Sequence, residues 1–329
     1  MTSLVTGANG FVGAAVVRAL VDRGEAVRAL VRAGSDTLNL DGLPVEIVRG
    51  DLRDQGSMRE ASAGCATVFH VAADYRLWVP DEQSMYATNV GGSVNVLEGA
   101  AASGVERMVY TSSVAVLGIR ADKRPADEDT PVSVEEMIGH YKRSKFLAEQ
   151  AVRERATELG FPVVTVNPST PIGPGDLRPT PTGRIIVDAA RGKMPAYVDT
   201  GLNVVHVDDV AAGHLLARDA GTPGERYILG GADMSLKEIL DMVAKHVGRR
   251  PPFVRLPRRA VYPLAVVSER LARLFSIEPL VTRDELRMAK KHMYFTSRKA
   301  EAELGYQHRP PEEAIVDAIA WFRAHGFVG

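Results

Sequence analysis

The sequence predicts an α/β protein: a doubly wound parallel sheet with helices on both faces, followed by a smaller, mostly helical C-terminal substrate domain. Two observations lead to this prediction. Short apolar segments alternate with amphipathic segments through the first half of the chain, as strands and helices do around a buried parallel sheet. A glycine-rich run at residues 6–13 stands between the first predicted strand and the first predicted helix. The chain has 329 residues, enough for one large or two modest domains.

The first half of the chain alternates strictly between the two kinds of element. We expect its strands at residues 3–6, 26–31, 45–48, 67–71, 108–111 and 163–166. We expect helices between them at residues 11–22, 57–63, 83–103 and 135–159. Right-handed crossovers place the carboxyl ends of such strands along one edge of the sheet, where a ligand crevice forms.

The pattern loosens after residue 167. Prolines and glycines between residues 168 and 183 predict a long loop, whose length indicates a functional role. Beyond it we expect a strand at 204–207 and helices near 184–191, 209–219, 235–247, 258–275 and 310–325. We therefore predict a first domain at residues 1–167 and a substrate-binding or lid domain at residues 168–329. The chain should return to the first domain around residues 204–229.

The overall composition excludes several classes of protein. The net charge is −1 at pH 7, so no general attraction to nucleic acid is expected. The single cysteine, Cys65, excludes an internal disulfide and a cysteine-based zinc site, and it fits a reducing cytoplasm. The first strand begins almost at Met1, so we expect no signal peptide and a cytoplasmic protein. We predict no metal site, because His206, Asp208 and Asp209 are more typical of a helix-capping turn.

Three glycines at a spacing of three, Gly7, Gly10 and Gly13, predict a phosphate cradle. Gly7 permits a tight turn, Gly10 lets backbone N–H groups approach a pyrophosphate, and Gly13 lets the helix pack close to the strand. The free N–H groups and the dipole at the helix start favour an anion. The alternative is a glycine-rich turn without a ligand. The other residues of the run that we expect to contact a dinucleotide are Asn9, Phe11 and Val12.

Tyr141 and Lys145 stand four residues apart, so on a helix they share one face. A free tyrosine has a pKa near 10, and a nearby ammonium group should favour its phenolate form. The pair is therefore a candidate general acid and base. Ser113 follows a predicted strand and could hydrogen-bond the carbonyl or alkoxide of a substrate while Tyr141 exchanges its proton. The alternative for the pair is a solvated helix face.

These motifs resemble the extended short-chain dehydrogenase/reductase family over nearly the whole chain. The similar segments are residues 6–13, 50–52, 70–73, 89–90, 111–113, 141–145 and 206–209. The resemblance implies that residues 1–167 form a Rossmann domain that binds NAD(P). It also implies that Ser113, Tyr141 and Lys145 are the catalytic residues.

The family resemblance also implies further contacts to the cofactor. Lys145 would hold the nicotinamide ribose together with Tyr141, and Asp51 and Leu52 would meet the adenine. The backbone of Val71, Ala72 and Ala73 would line the cofactor, and Pro168 would lie beside the carboxamide. Asn89 would organise water or backbone near Tyr141, or else form a contact between helix and sheet.

Arg32 bears on the choice between NADP and NAD. NAD-specific sites carry an acidic residue about 20 residues beyond the glycines, where it binds the ribose 2′-hydroxyl. Arg32 occupies that position, and its guanidinium suits a 2′-phosphate, to which Ser35 could add a hydrogen bond. We therefore favour NADP(H). In the alternative, Arg32 is solvated and Asp36 binds the ribose of NAD.

Within the family, the chain is most similar to the hopanoid-associated sugar epimerases, a branch beside the dihydroflavonol 4-reductases. The similar segments are residues 73–78, 139–145, 167–174 and 197–203. This resemblance implies an epimerase-like or reductase step on the sugar-derived side chain of hopanoid lipids. A ketone reductase using NADPH, like the dihydroflavonol reductases, and a non-catalytic nucleotide-sensing protein are the alternatives.

The substrate is a small molecule in either enzymatic interpretation. Nucleotide-sugar epimerases of this family usually carry an Arg-Asp pair before the segment that begins at His206, and the arginine grips the diphosphate. Here that place reads Leu202-Asn203, so a substrate without a diphosphate is favoured, although Arg184 could substitute. We expect Tyr75, Trp78, Ser113, Asn167 and Arg184 to contact the substrate.

Two further interactions are predicted. The region at residues 249–273 is rich in arginine, which favours a helix with an apolar face on the core and a wet basic face. The alternative is a weak peripheral contact with a membrane, as basic amphipathic helices make. The family's habit also predicts a homodimer through the helices at 83–103 and 135–159.

Overall fold

The computed structural model describes residues 1–76, 81–275 and 282–329. The strands of the first half are β1 (Thr2–Thr6), β2 (Ala26–Val31), β3 (Glu46–Arg49), β4 (Thr67–His70), β5 (Arg107–Thr111) and β6 (Val163–Pro168). The helices of this half are α1 (Phe11–Asp22), α2 (Gln55–Ser62), α3 (Glu82–Tyr86), α4 (Gly92–Ala102) and α5 (Gly139–Leu159). A π-helical turn, Ala87–Gly91, joins α3 to α4.

The second half contains further strands and helices in mixed order. Its strands are β7 (Thr170–Ile172), β8 (Ala196–Tyr197), β9 (Gly201–His206), β10 (Arg226–Leu229), β11 (Ala232–Ser235), β12 (Val254–Arg255) and β13 (His292–Met293). Its helices are α6 (Pro181–Ala190), α7 (Val207–Ala220), α8 (Leu236–His246), α9 (Arg258–Phe275), α10 (Arg283–Met288), α11 (Arg298–Leu304) and α12 (Pro311–Ala324).

The main sheet confirms the predicted fold class. Seven parallel strands pair in the order β10-β6-β5-β4-β1-β2-β3. Successive residues of a strand face opposite sides of a sheet. Leu4 accordingly packs in one core cluster with Val96 of α4 and Val152 of α5, whereas Val5 packs in another with Leu215 of α7. Helices therefore cover both faces, which is why the central strands are apolar throughout.

The strand order reverses direction at β1 and β4, where the crossovers go to opposite sides of the sheet. In doubly wound sheets this is the place where the ligand crevice opens, at the carboxyl ends of the strands. The segments that follow β1, β4 and β5 therefore meet at one edge. They contain the glycine run, residues 71–76 and Ser113.

The returning chain contributes a strand that the sequence analysis did not identify. β10 pairs with β6 and completes the main sheet, within the predicted return around residues 204–229. The predicted strand at 204–207 exists as β9, but it pairs with β7, β11 and β13 in a second sheet. The C-terminal part therefore has a small sheet beneath its helices. The short strands of this sheet are paired by residues far apart in the chain, so no local pattern announced it.

The helix that bears Tyr141 begins four residues later than predicted. The sequence favoured a helix from 135, but Val134–Glu136 forms a separate 3₁₀ turn, closed by a capping box between Ser133 and Glu136. Gly139 has φ of +79°, a left-handed conformation in which the chain turns before it enters α5. No helix among the described residues is long and apolar enough to cross a bilayer.

Candidate active site

The glycine run forms a tight cradle before α1. Gly7 has φ of +64°, and a Cβ atom there would lie 2.7 Å from the Cα of Ala72. A Cβ atom on Gly13 would lie only 2.1 Å from the Gly7 carbonyl oxygen. No side chain caps the first turn of α1, whose N-cap residue is Gly10. The cradle therefore fits a dinucleotide pyrophosphate, which backbone N–H groups at this helix start would bind.

The loops on either side of the cradle are joined by side-chain amides. Asn9 donates a hydrogen bond from Nδ2 to the Asp36 carbonyl oxygen at 2.7 Å. Asn39 donates to the carbonyl oxygens of Asn9 and Gly175. Phe11 and Val12 begin α1 and pack against the core cluster that contains Val5. These contacts hold the cradle in one conformation.

The far end of the crevice contains charged groups beyond β2 and β3. Arg32 is exposed at the end of β2. Arg53 hydrogen-bonds the Asp51 carboxylate and lowers its pKa to about 2, with a smaller contribution from Arg32. The Asp36 carboxylate accepts the backbone N–H of Leu38 at 2.9 Å, and so it caps a local turn. Arg32 and Asp36 are both exposed, and of their two charged groups only the Asp36 carboxylate is seen to cap a turn.

Ser113, Tyr141 and Lys145 meet at the carboxyl end of β5. The Ser113 side chain lies close enough to the Tyr141 hydroxyl to affect its pKa, and Ser113 Oγ accepts the N–H of Ala115 at 3.1 Å. The Lys145 ammonium donates to the Thr111 carbonyl oxygen at 2.8 Å and lies 5.1 Å from the ring centroid of Tyr110. The structure therefore assembles the three predicted catalytic residues in one place.

The protonation of this group differs from the sequence expectation. We expected Lys145 to favour the phenolate of Tyr141. Burial instead raises the pKa of Tyr141, and the nearby Ser113 side chain offsets this only in part. Burial also lowers the pKa of Lys145 to about 8, although Glu149 acts in the opposite direction. The ammonium bonds a backbone carbonyl here, which explains why it does not stabilise a phenolate.

Asn89 ties the crevice edge to the catalytic helix. Its Oδ1 accepts the N–H of Asp74 at 2.7 Å, and its Nδ2 donates to the Asp74 carbonyl oxygen at 2.9 Å. Nδ2 also donates to Ser144 Oγ, which in turn donates to the Tyr141 carbonyl oxygen. Asn89 lies in the π-helical turn, a distortion often found at functional sites.

His70 extends the hydrogen-bond network of Asn89 to the end of β1, next to the glycine cradle. The N–H of Ala72 donates to Thr6 Oγ1, and Thr6 bonds His70 Nδ1 at 2.7 Å. His70 Nε2 bonds Ser93 Oγ at 2.9 Å, and Ser93 donates to the Asn89 carbonyl oxygen. Burial lowers the pKa of His70 to about 3, so the ring is neutral. Ser93 gives its one proton to Asn89, so it must accept a hydrogen bond from His70 Nε2, and Thr6 can give its own proton to Nδ1. The network therefore requires the Nε2–H tautomer.

The predicted substrate residues are placed unequally. Asn167 is buried and donates from Nδ2 to the Ser113 carbonyl oxygen and to Glu149, at 3.1 Å each. Tyr75 is 43% exposed beyond β4, and Arg184 lies on an exposed face of α6. Trp78 lies outside the described residues. Val71 and Ala73 follow β4, and Leu52 follows β3, as the resemblance implies.

Unsatisfied buried polar atoms mark the same edge. Within the described ranges, Ser112 Oγ, Asn167 Oδ1 and Ser169 Oγ have no hydrogen-bond partner. They come from the carboxyl ends of β5 and β6, next to Pro168, the last residue of β6. Buried polar atoms normally have partners. Their arrangement fits a crevice that receives a polar group, such as a carboxamide.

The sequence analysis missed Lys142, the neighbour of Tyr141. This lysine is buried, with its Nζ 3.7 Å from the thioether sulfur of Met293. Burial lowers its pKa to about 8, and the charge of Lys291 acts in the same direction. Lys142 lines a small pocket of about 20 Å³ with Glu136, Lys291 and apolar residues of three segments: Ala115, Leu117, Ile119, Val132, Met137, Ile138, Met288 and Met293. Only the tertiary contact with Met293 reveals this environment.

Comparison with known proteins establishes the family. The model of the NAD dependent epimerase/dehydratase family matches residues 3–230. The chain belongs to this family. It is therefore an NAD(P)-dependent enzyme of the extended short-chain dehydrogenase/reductase type, and the Rossmann fold of its first half follows that type.

Members of the family with high similarity include reductases. A putative dihydroflavonol 4-reductase of Synechocystis is 46% identical over 98% of this chain and 95% of its own length. Sterol demethylase protein B of Methylococcus capsulatus is 37% identical over the full length of both. The 4-hydroxy-2-methyl-3-oxo-4-farnesyl-3,4-dihydroquinoline-1-oxide ketoreductase of Stigmatella aurantiaca is 33% identical over 97% of this chain and 96% of its own. The crystal structure of gox2253 is 54% identical, with a TM-score of 0.90 over 100% of this chain and 99% of that one.

The pair Leu202-Asn203 takes the place of the Arg-Asp pair that nucleotide-sugar epimerases of the family usually carry, so Leu202 replaces the arginine and Asn203 the aspartate. Asn203 is 1% exposed, and its Nδ2 donates to Asp233 Oδ1 and to the carbonyl oxygens of Gly231 and Phe295. Its Oδ1 accepts the N–H of Gly231 at 2.8 Å. The amide is thus fully engaged in joining β9 to its neighbours. This family member offers no cation at that position.

Proposed function

We propose that this enzyme reduces a ketone with NADPH, using Ser113, Tyr141 and Lys145. The observation that carries the proposal is that Ser113, Tyr141 and Lys145 lie together at the carboxyl end of β5, on the edge of the sheet that bears the glycine cradle. A raised pKa keeps the Tyr141 hydroxyl protonated near neutral pH. Reduction of a carbonyl requires a proton donor at this place, so the protonation state supports reduction.

The roles of the residues follow from their positions. The nicotinamide ring supplies the hydride when the cofactor is bound. Ser113 would donate a hydrogen bond to the carbonyl oxygen and polarise it. Tyr141 would donate its proton to the same oxygen as negative charge develops there. Lys145 would hold the ribose, and Asn89 would fix the turn of α5 that presents Tyr141.

The small pocket beside Lys142 is too narrow to hold a substrate, but its mostly apolar lining supports a substrate with an apolar body nearby. Its lining reaches from Ala115, two residues beyond Ser113, to Met293. Leu202 stands in the place of the arginine and offers no cation for a diphosphate, which argues against a nucleotide sugar. Ketoreductase relatives support the same class, since one of them is named for a farnesylated quinoline. We infer a lipophilic ketone without a diphosphate.

NADP is the cofactor that the exposed Arg32 supports. A guanidinium at the end of β2 would bind a 2′-phosphate by charge-assisted hydrogen bonds, which are stronger than neutral ones. Asp36 has its carboxylate in a local turn. A hydrogen bond to a charged group contributes about 1.5–3 kcal/mol, so we expect roughly tenfold to hundredfold preference for NADPH over NADH.

The decisive experiment compares the enzyme with its Tyr141→Phe variant. NADPH oxidation is followed with a panel of lipophilic ketones, and NADPH affinity is measured by calorimetry. We expect turnover to fall by about 10²–10⁴-fold, because a general acid contributes that much, while NADPH affinity stays near that of the wild type. Tyr262→Phe, at an exposed position on α9, is the matched control. Undiminished turnover in Tyr141→Phe would refute the role of Tyr141.

An epimerase-like step remains the second candidate, because it uses the same residues. An epimerase retains its cofactor, turns the keto intermediate over and returns the hydride. The enzyme is therefore denatured after purification without added cofactor, and released dinucleotide is identified by mass spectrometry. Stoichiometric dinucleotide would favour the epimerase, and an empty enzyme would favour the reductase. A step in hopanoid biosynthesis, a homodimer and a cytoplasmic location remain predictions that rest on the resemblance and composition.

A further inference from the structure

Helix α9 turns its large apolar residues away from the core, whereas the sequence favours a helix with its apolar face on the core. Its buried residues are small: Ala265 and Ala272 are inaccessible, and Ser268 is 9% exposed. Its large apolar residues face outward, with Leu264 50%, Val267 52% and Leu271 45% exposed. These three residues recur at intervals of three and four, so they form one stripe along the helix. The expectation of a large apolar face on the core is therefore wrong for this helix.

The segment before α9 also exposes apolar side chains. Phe253 is 86% exposed, and Val254 and Leu256 are 40% and 38% exposed. We call these three residues and the stripe of Leu264, Val267 and Leu271 the α9 surface. Exposed apolar side chains that occur singly need no explanation, but a set of six on consecutive elements indicates an interaction site.

The charges beside the α9 surface have one predominant sign. Residues 249–275 include seven arginines and a single acidic residue, Glu269. Glu269 is half-buried and bonded to Arg283 of α10, so its charge is already neutralised. At 3.6 residues per turn, the exposed Arg259 and Arg270 lie about 100° around the helix from the apolar stripe. Apolar and basic side chains thus occupy adjacent exposed sectors.

We propose that the α9 surface docks on an anionic lipid bilayer. A basic amphipathic helix in the plane of a membrane buries its apolar stripe below the headgroups and places its arginines among anionic phosphates. A second copy of this chain is the less suitable occupant. Two-fold symmetry would bring the same patch from each copy together, and the arginines of both would repel each other.

Docking of α9 on a membrane would bring the enzyme close to a lipophilic substrate. This one step rests on the proposed function. Helix α10 packs against α9 through the pairing of Arg283 with Glu269, and it supplies Met288 to the apolar pocket. A membrane under α9 would thus lie near Lys142, the neighbour of Tyr141 in the chain. A lipophilic ketone would reach the crevice from the bilayer.

The test is flotation of the full-length protein with two kinds of vesicle. One contains phosphatidylcholine alone, and the other contains phosphatidylcholine with phosphatidylglycerol. We expect binding to the anionic vesicles that weakens with added salt and little binding to the neutral ones. The measurement needs no turnover, so it stands or fails independently of the proposed reaction.

Three variants make the test specific. Leu264→Gln with Leu271→Gln, and separately Arg259→Gln with Arg270→Gln, should each lower the partition coefficient about tenfold or more, since each removes two favourable contacts. Leu38→Gln is the control, because Leu38 is 49% exposed and lies far from α9 in the chain. All these side chains are exposed, so thermal unfolding should change little.

Three outcomes would overturn the proposal. The first is no flotation of the wild type with anionic vesicles. The second is an equal loss of binding in Leu38→Gln, which would indicate nonspecific adsorption. The third concerns the molar mass measured by light scattering. If the wild type does not bind vesicles and Leu264→Gln with Leu271→Gln has a lower molar mass than the wild type, a second copy is the partner.

Discussion

Lys142 provides a test of the apolar pocket that needs no substrate. Its ammonium has a pKa of about 8 in the folded protein against an ordinary 10.5, because burial and Lys291 disfavour the charge. A difference of one pKa unit corresponds to about 1.4 kcal/mol, so holding this charge costs the fold about 3 kcal/mol at neutral pH. Lys142→Met replaces it by an apolar side chain of similar length. We expect the variant to be more stable at pH 7 by up to this amount.

The dependence on pH distinguishes this explanation from simple repacking. Below pH 8 the lysine is protonated in both the folded and the unfolded chain. Between pH 8 and 10.5 the folded protein releases its proton and the unfolded chain retains it, so stability of the wild type rises with pH. The advantage of Lys142→Met should therefore shrink by about 2 kcal/mol between about pH 7 and about pH 9.5.

Urea denaturation of both proteins across this pH range measures the difference. Other titrating groups, including Lys145, are common to both proteins and cancel in the comparison. Lys245→Met is the control, because Lys245 lies on the surface of α8, where its side chain is 71% exposed. An advantage of Lys142→Met that does not vary with pH would refute the reasoning. So would a variant less stable than the wild type at pH 7.

Three other predictions follow from the cradle, the cofactor edge and the second sheet. Gly13→Ala places Cβ 2.1 Å from the Gly7 carbonyl oxygen, so calorimetry should show NADPH affinity lowered more than about tenfold. Gly91→Ala is the control: its Cβ has open space around it, so this variant should bind NADPH normally. Arg32→Glu should reverse the preference, with NADPH affinity reduced about tenfold or more and NADH affinity retained, and equal loss of both would contradict it. Asn203→Ala should cost about 3 kcal/mol in urea denaturation, because it leaves buried partners at β9 unsatisfied, and a cost near zero would show that they find other partners.

The cofactor half was predictable because its signals are local. The glycine run needs only its own residues and the strand and helix that flank it, and the structure gives Gly7 and Gly13 the close backbone contacts expected of them. The parallel strands are apolar on both faces, so each could be located without knowledge of its neighbours. Tyr141 and Lys145 share a helix face for the same local reason.

The features that escaped prediction depend on residues distant in sequence. Lys142 follows Tyr141 in α5 but lies on a different face of the helix, and only the approach of Met293 shows that it is buried. The outward face of α9 could not be deduced either, since a periodic pattern identifies an apolar stripe but not what covers it. β10 becomes a central-sheet strand by pairing with β6, some sixty residues earlier. In each case the partner, and not the local sequence, decides the role.

The state of Tyr141 connects these observations to the direction of the reaction. A phenolate would suit oxidation of an alcohol, in which a base removes the hydroxyl proton, whereas reduction of a ketone needs the protonated hydroxyl. Burial raises the pKa of Tyr141, and Lys145 bonds the Thr111 carbonyl oxygen instead of a phenolate. Asn89 and Ser144 meanwhile hold the backbone of Tyr141 in place, so the hydroxyl stays beside Ser113. The resting arrangement is therefore that of a proton donor, as the proposed reduction of a ketone requires.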